Sequence, residues 1–315
     1  MARASVRFHL KRLWPGGAFS PLAPIAPFLA YALYSLVRSD LRPEHIIIIV
    51  VVGVLAYIGQ RTKELVIGLY PAALVFLLFD GMRPYQKLGL TADRVHLCDL
   101  RSLEVTLFGH HGWTLHDYWL LHHTPLLDVV CAIPYATFIL WCIGFGVYLY
   151  RRNRPAMRQF MWGFFLLNLT GFITYHLIPA APPWYFHSHG CVVDLATRAS
   201  EGPPLARVDA MTGIHYFHGM YGHASSVFGA LPSLHCAYPM LVVLMGWSTF
   251  GPRLRVVTIA YAFLMIFSAV YLDHHWVIDG LLGYTYAVLI TLFLRFVARR
   301  RAGVMVTAKP AAVGS

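Results

Sequence analysis

Residues 127–149 read L-D-V-V-C-A-I-P-Y-A-T-F-I-L-W-C-I-G-F-G-V-Y-L, and Arg151, Arg152 and Arg154 follow at once. A stretch of roughly 20 apolar residues is long enough to cross a bilayer as a helix, and this one carries a single acid and no base before its arginine stop. The rest of the chain repeats the pattern. Of 315 residues, 58% are apolar and only 12% are charged, against about a quarter charged in a soluble domain. The mean hydropathy is +0.58. Nineteen prolines and 25 glycines exclude disordered, collagenous and coiled-coil classes. The composition specifies a polytopic, all-helical membrane protein whose spans leave no room for a second soluble domain.

Eight spans are expected, near Pro24–Leu36, Ile46–Ile58, Leu65–Phe79, Leu127–Leu149, Phe160–Ile178, Leu231–Phe250, Val256–Leu272 and Val277–Phe296. The net charge of +11 sits in short clusters between them: Arg3–Arg12, Arg61 with Lys63, Arg151–Arg158, Arg253 with Arg255, and Arg295–Arg301. Eight crossings put every cluster on one side, which the positive-inside rule makes cytoplasmic, with both termini there. The basic balance therefore writes topology, and nucleic acid is not an expected partner. The opposite side, a Golgi lumen or periplasm, receives Asp80–Leu126, Pro179–Ala230 and the bend Asp273–Trp276. The five cysteines are odd in number and lack C-x-x-C spacing, so neither a disulfide framework nor a zinc site is expected. Cys131 and Cys142 are expected as buried thiols. No cleavable signal peptide is expected, since the first apolar run ends in no small-residue cleavage site.

Most of the 17 histidines lie on or beside the non-cytoplasmic pieces. Ionisable groups at membrane depth are costly and usually face a cavity or one another, so histidine gathered at one face suggests proton transfer, phosphate binding or metal ligation. His275 and Asp279 are four residues apart, on one helix face. The carboxylate can fix the tautomer of an attacking imidazole, and the alternative is a capping histidine beside an aspartate at a helix start. The run G-A-L-P-S-L-H, Gly229–His235, opens the sixth span with Pro232 in its first turn. Free N–H groups and the Ser233 hydroxyl would seat a phosphate there, and His235 would protonate a leaving oxygen; the alternative is a plain helix start. In D-G-M-R-P, Asp80–Pro84, Arg83 is either a phosphate fork or an arginine snorkelling to the headgroups.

Together, P-S-L-H, Y-L-D-H-H-W-V-I-D and the upstream R-P resemble the signature of the type 2 phosphatidic acid phosphatase superfamily of membrane phosphotransferases. Y-H-L-I-P-A-A-P-P-W-Y (Tyr175–Tyr185), L-A-R-V-D (Leu205–Asp209), Tyr216–His235 and H-D-Y-W-L-L-H-H (His116–His123) resemble, more narrowly, the inositol phosphorylceramide synthase branch, the aureobasidin targets. The likeness runs from about Leu65 to Gly283. It implies that His275 takes the phosphoryl group, oriented by Asp279. His235 then acts as acid toward a diacylglycerol leaving group and as base toward the acceptor hydroxyl, and Arg83 binds phosphate oxygens. The implied reaction moves phosphoinositol from phosphatidylinositol to ceramide. The chain departs from the wider superfamily at Phe76 and Ala269, where a lysine and an arginine are usual. Arg83, Lys87 or Arg207, with helix-end amides, would then supply the positive charge. One negative charge on a phosphodiester needs fewer cations than a monoester dianion, which favours a transferase over a phosphatase.

Other candidates are weaker. Trp184 and Tyr185 are either interfacial anchors or a substrate wall, and His218 and His223 either reach the headgroup or make structural hydrogen bonds. His110, His111, His116, His122 and His123 fit no tight metal site, and no metal or cofactor is expected. The expected organisation is a tail and two-helix extension (1–64), a six-helix phosphotransferase core (65–301) and a C-terminal tail (302–315). The expected partners are a phospholipid donor, a lipid acceptor and the bilayer; an accessory subunit is not legible. The rivals are a lipid phosphate phosphatase of the same superfamily and a histidine-rich transporter, for which Asp128 and Asn168 are the available polar residues within the spans.

Overall fold

The computed structural model describes residues 12–16, 20–82, 85, 88–199, 202–222 and 226–307. Each expected span coincides with a helix: α1 (Ala26–Val37), α2 (Pro43–Ile58), α3 (Gln60–Met82), α6 (Pro125–Arg152), α7 (Arg154–Leu177), α11 (Leu234–Gly246), α12 (Pro252–Tyr271) and α13 (Val277–Thr307). Five of these, α3, α6, α7, α12 and α13, are long and apolar enough to cross a membrane, whereas α1, α2 and α11 have 12, 16 and 13 residues. Short helices fill the connections at one end: α4 (Cys98–Phe108), α5 (Leu115–Leu121), α8 (Pro183–His189), α9 (Pro203–Thr212) and α10 (Tyr216–Gly222). Among the described residues there is no β-sheet, only isolated bridges.

Lipid tails give apolar helices no reason to leave lipid for one another, so association depends on close backbone approach and on polar contacts. α11 is the centre of the bundle. Its Tyr238, Leu241 and Val242 share one buried cluster with Phe145 and Leu149 of α6, Phe160 and Leu167 of α7, and Ala287 and Ile290 of α13. Gly280, Gly283 and Ala287 line up at helical spacing on α13. A Cβ added at Gly283 would fall 2.3 Å from the Ser233 carbonyl oxygen, so α13 runs directly against the chain entering α11. The extension is fastened by apolar packing of Phe28, Val52, Ala56 and Val66 and by one buried carboxylate. Asp80 accepts from the Tyr31 hydroxyl (2.6 Å), lies 2.8 Å from His45 Nε2 and is paired with Arg42.

The segments expected together on one face do assemble there as a cap. The His96 N–H donates to the Pro179 carbonyl (2.8 Å), and the Ala180 N–H donates to that of Phe228 (3.0 Å). The Ala230 N–H in turn donates to the Ala180 carbonyl (3.1 Å). A disulfide joins Cys98 to Cys191 across the cap, with Cα atoms 5.7 Å apart. This corrects the expectation of no disulfide: the two cysteines are 93 residues apart in sequence, and only the folding of the cap over the bundle brings them together. Cys131 and Cys142 are buried free thiols, as is Cys236. The connections α6–α7 and α11–α12, which carry Arg151–Arg158 and Arg253–Arg255, lie at the other end.

Replacing Gly283 with alanine should force α13 away from the start of α11. The expected cost is about 1–3 kcal/mol, typical of an overpacked core, read as a lowered thermal unfolding midpoint of the purified protein.

Candidate active site

The turn between α12 and α13 is locked from several directions. The Ala269 carbonyl accepts the N–H groups of both His274 (3.0 Å) and His275 (3.1 Å). Asp273 adopts a left-handed conformation, φ 58°. The fully buried Trp276 donates its indole N–H to the Ala181 carbonyl of the cap (3.0 Å). Glu104 of α4, wholly buried, accepts the Val277 N–H (2.9 Å) and so satisfies the first turn of α13. Asp279 Oδ2 accepts the Trp276 N–H (3.0 Å) at the same helix end.

Against this turn stands the first turn of α11. His235 Nδ1 lies 3.1 Å from His275 Nε2, with the His235 ring between Tyr135 (4.8 Å) and Phe138 (4.7 Å) of α6. His275 Nδ1 is 3.0 Å from the Ala230 carbonyl oxygen. A carbonyl can only accept, so Nδ1 carries the hydrogen and Nε2 presents a lone pair. Burial pushes the His275 pKa down; the Ala230 hydrogen bond partly opposes that, His116 adds to it, and the result is about 4. At neutral pH the ring is therefore a free base, as a nucleophile must be. The Asp279 carboxylate is 3.5 Å from Nδ1, so the nearer orienting group is the cap's backbone rather than the residue four positions on.

Both imidazoles line a cavity of about 1020 Å³, whose other walls include Phe76 and Phe79 of α3, Phe138 of α6 and Phe172 of α7. The lining is mostly aromatic and aliphatic, with His235, His274 and His275 among its polar groups. Such a lining suits an amphiphile whose polar part meets the imidazoles.

A PAP2 superfamily model matches residues 98–293, more than half of the chain. The chain belongs to the PAP2 superfamily. This PAP2 protein is 33% identical to phosphoinositol dihydroceramide synthase of Bacteroides thetaiotaomicron over 87% of its own length and 91% of that relative. It is 31% identical to inositol phosphorylceramide synthase of Candida albicans, over 57% of this chain and 38% of that one. It is 30% identical to the inositol phosphorylceramide synthase catalytic subunit of Saccharomyces cerevisiae, over 58% and 45% respectively. The chain thus spans less than half the length of these fungal relatives. No solved structure matches. The branch resemblance drawn from the motifs agrees with these relatives.

The sequence candidates of this PAP2 protein divide sharply. His235 and His275 meet, and Asp279 lies beside them. Ser233 is completely buried, but its hydroxyl accepts the Cys236 N–H (3.3 Å) as the helix cap, and its N–H donates to the Asp279 carbonyl (2.9 Å). The hydroxyl thus caps α11, and the backbone N–H of the residue expected at the phosphate seat joins α11 to α13. Trp184 lines the cavity, whereas the buried Tyr185 sends its hydroxyl to the Asp194 carbonyl (3.1 Å). Arg207 does not line the cavity; its guanidinium is held by Asp128 of α6 (3.1 Å). His218 is exposed and outside the lining. Arg83, Lys87 and His223 lie outside the described residues, although Met82, Tyr85 and Leu88 line the cavity. Where the wider superfamily has cations, Phe76 forms wall and Ala269 supplies the carbonyl of the histidine turn.

The polar residues available to a transporter are spent locally. Asp128 pairs with Arg207 and accepts the Tyr271 hydroxyl (3.0 Å), and Asn168 accepts the Tyr238 hydroxyl (2.6 Å). The histidines of 110–123 scatter: His110 and His111 contact each other, His122 stacks on Tyr118, and His116 is buried against Glu104 and the Val270 carbonyl.

Sequence reasoning missed the supports beneath the turn. His187 of α8 bridges two carboxylates, Asp273 (2.6 Å) and Asp117 (2.9 Å), and Arg101 clamps Asp117 from the far side (3.0 Å). His116 also faces Asp273, at 3.5 Å. These residues are remote in sequence, so no spacing announces them. Burial alone would lower the His187 pKa; hydrogen bonding and charge from Asp273, then from Asp117, outweigh it and raise it. For Asp117, burial raises the pKa, but Arg101, the Thr114 N–H and His187 bring it below the usual carboxylate range. A raised folded-state pKa gives His187 a stabilising contribution that is complete below its ordinary value of about 6.5 and is lost as pH rises through the raised value. The difference in thermal midpoint between the wild type and His187→Gln should therefore be largest near pH 6 and shrink by pH 9.

Proposed function

We propose that this protein transfers phosphoinositol from a phospholipid donor to the hydroxyl of a ceramide-type lipid, through a phosphohistidine intermediate. The observation that carries the proposal is the 3.1 Å approach of His235 to His275 in the wall of a mostly apolar cavity. The named relatives, a phosphoinositol dihydroceramide synthase and inositol phosphorylceramide synthases, support the choice of donor and acceptor.

In the first half-reaction the His275 Nε2 lone pair attacks phosphorus, and the bond from phosphorus to the diacylglycerol oxygen breaks. His235, protonated as the anionic diester enters, gives that oxygen its proton, and diacylglycerol leaves. In the second, His235 takes the proton from the acceptor hydroxyl, whose oxygen attacks phosphorus as the P–N bond breaks. Ala230, through its carbonyl, and Asp279 hold His275 and stabilise the positive charge on its phosphorylated ring. Arg83 and Lys87 supply charge to the phosphoryl oxygens, a role for which Arg207, committed to Asp128, is poorly placed. Stabilising the charge that develops at phosphorus should dominate the rate gain.

Topology follows the same reasoning. Both termini are cytoplasmic and the cap is not, since the arginine-rich connections lie at the opposite end and a disulfide within the cap suits an oxidising compartment. The helices α3, α6, α7 and α11–α13 form the catalytic core, with α1 and α2 as an extension.

Purified protein offered phosphatidylinositol and ceramide should yield inositol phosphorylceramide and diacylglycerol. His275→Ala and His235→Ala should each lower the rate by at least about a thousandfold, in the range expected when a nucleophile or an acid–base group is removed. With His275 held near 4, the acid limb of kcat/KM should lie well below pH 6. Full transfer by His275→Ala, or release of inorganic phosphate from phosphatidic acid with no lipid product, would overturn the proposal.

A further inference from the structure

One histidine in the wall of the cavity has no part in this chemistry. His274, adjacent to His275, is 6% exposed and lines the cavity, yet neither ring nitrogen has a hydrogen-bond partner among the described residues. The nearby histidines differ: His275 has both nitrogens engaged, half-buried His187 bridges two carboxylates, and buried His116 reaches the Val270 carbonyl with one nitrogen and leaves only the other without a hydrogen bond. Two tyrosines flank the His274 ring edge-on, Tyr221 at 5.2 Å and Tyr135 at 5.3 Å between ring centroids. Their hydroxyls are also buried without partners among the described residues. Tyr221 lines the cavity; Tyr135 stands behind, between His274 and His235.

Buried polar atoms are nearly always satisfied, and leaving one unmet is costly. Here two cavity-lining groups and the one behind them share the condition, beside the nucleophile. Among the described residues no ion pair involves any of the three, and burial, then the neighbouring His275 and His235, keeps His274 in its uncharged form. The set is therefore neutral, and each member both donates and accepts. A phosphate or carboxylate would be poorly served by it, whereas a hydroxyl, itself donor and acceptor, matches it. A group bound there would sit beside the phosphorus, since His274 shares the cavity with His235 and His275 and one ring, Tyr135, packs on both His274 and His235. On the reading above, the headgroup is the part of the donor that stays on phosphorus through both half-reactions.

We propose that His274 and Tyr221, backed by Tyr135, form a neutral hydrogen-bonding subsite for the hydroxyls of a cyclic polyol headgroup on the donor lipid. The inference rests on the transferase reading, but its test does not need turnover. Full-length protein in nanodiscs is titrated with phosphatidylinositol and with phosphatidylmethanol, a diester of the same charge whose headgroup has no hydroxyl, each displacing a fluorescent phosphatidylmethanol. Wild type should prefer phosphatidylinositol. Tyr221→Phe and His274→Phe should each cut that preference about fivefold, the worth of one hydrogen bond, without changing affinity for phosphatidylmethanol. His274→Asn, which keeps a donor and an acceptor, should restore part of it. Tyr221→Phe removes a single oxygen and guards against a misfolded variant. An undiminished preference in both variants, or equal weakening toward both lipids, overturns the subsite. In transfer assays the variants should raise KM for the donor alone; a raised KM for ceramide alone would assign these groups to the acceptor and also overturn it. Wild type that binds selectively but transfers nothing would defeat the transferase reading while leaving the subsite standing.

Discussion

The hydrogen bond from His275 Nδ1 to the Ala230 carbonyl is the contact on which the site depends. It decides which nitrogen of the ring carries hydrogen, and so which one faces His235 with a lone pair. Its acceptor belongs to the cap, two residues before the proline that starts the approach to α11 and one hydrogen bond away from Ala180. The backbone exchange between 96, 180 and 230 therefore ends at the reactive ring. The clamp of Arg101, Asp117 and His187 ends at Asp273, two residues before the same ring. Cap and turn are parts of one support.

That support reconciles two demands in conflict. Lipid substrates require an apolar cavity, and burial there penalises every charge. The protein gives His275 a backbone carbonyl at 3.0 Å and keeps the Asp279 carboxylate back at 3.5 Å, and it places its shorter ion pairs one layer out, in the cap. The outer layer carries charge and fixes geometry. In the inner layer, burial holds His274 and His275 uncharged.

The fold was legible because lipid imposes a coarse rule. Apolar runs of the right length mark helices, and arginine clusters at 151–158 and 253–255 mark one end of the bundle, so the gathering of the three polar segments could be anticipated without coordinates. His235 and His275 were legible for the same reason, each standing beside a helix start on the predicted face. What sequence could not supply was anything made by the cap's tertiary closure. The pairing of Cys98 with Cys191, the carbonyl of Ala230 and the bridging role of His187 leave no periodic trace, because backbone atoms have no letter and distant partners have no spacing. Arg207 was legible only as a cation in a suggestive motif; its pairing with Asp128, an aspartate that the sequence offered only as a polar group in a span, is tertiary.

The shortness of α11 has a consequence for how lipid reaches the histidines. Thirteen residues of helix rise about 20 Å, some 10 Å less than typical hydrocarbon thickness. The far end of α11 is held where Arg295 donates to the Leu244 carbonyl, at the level of the basic residues. In the topology proposed above, a helix this short carries His235 only part of the way across the hydrocarbon layer. A lipid phosphate then has to move inward from the headgroup plane to meet the ring, and that depth is itself a filter on which molecules can react.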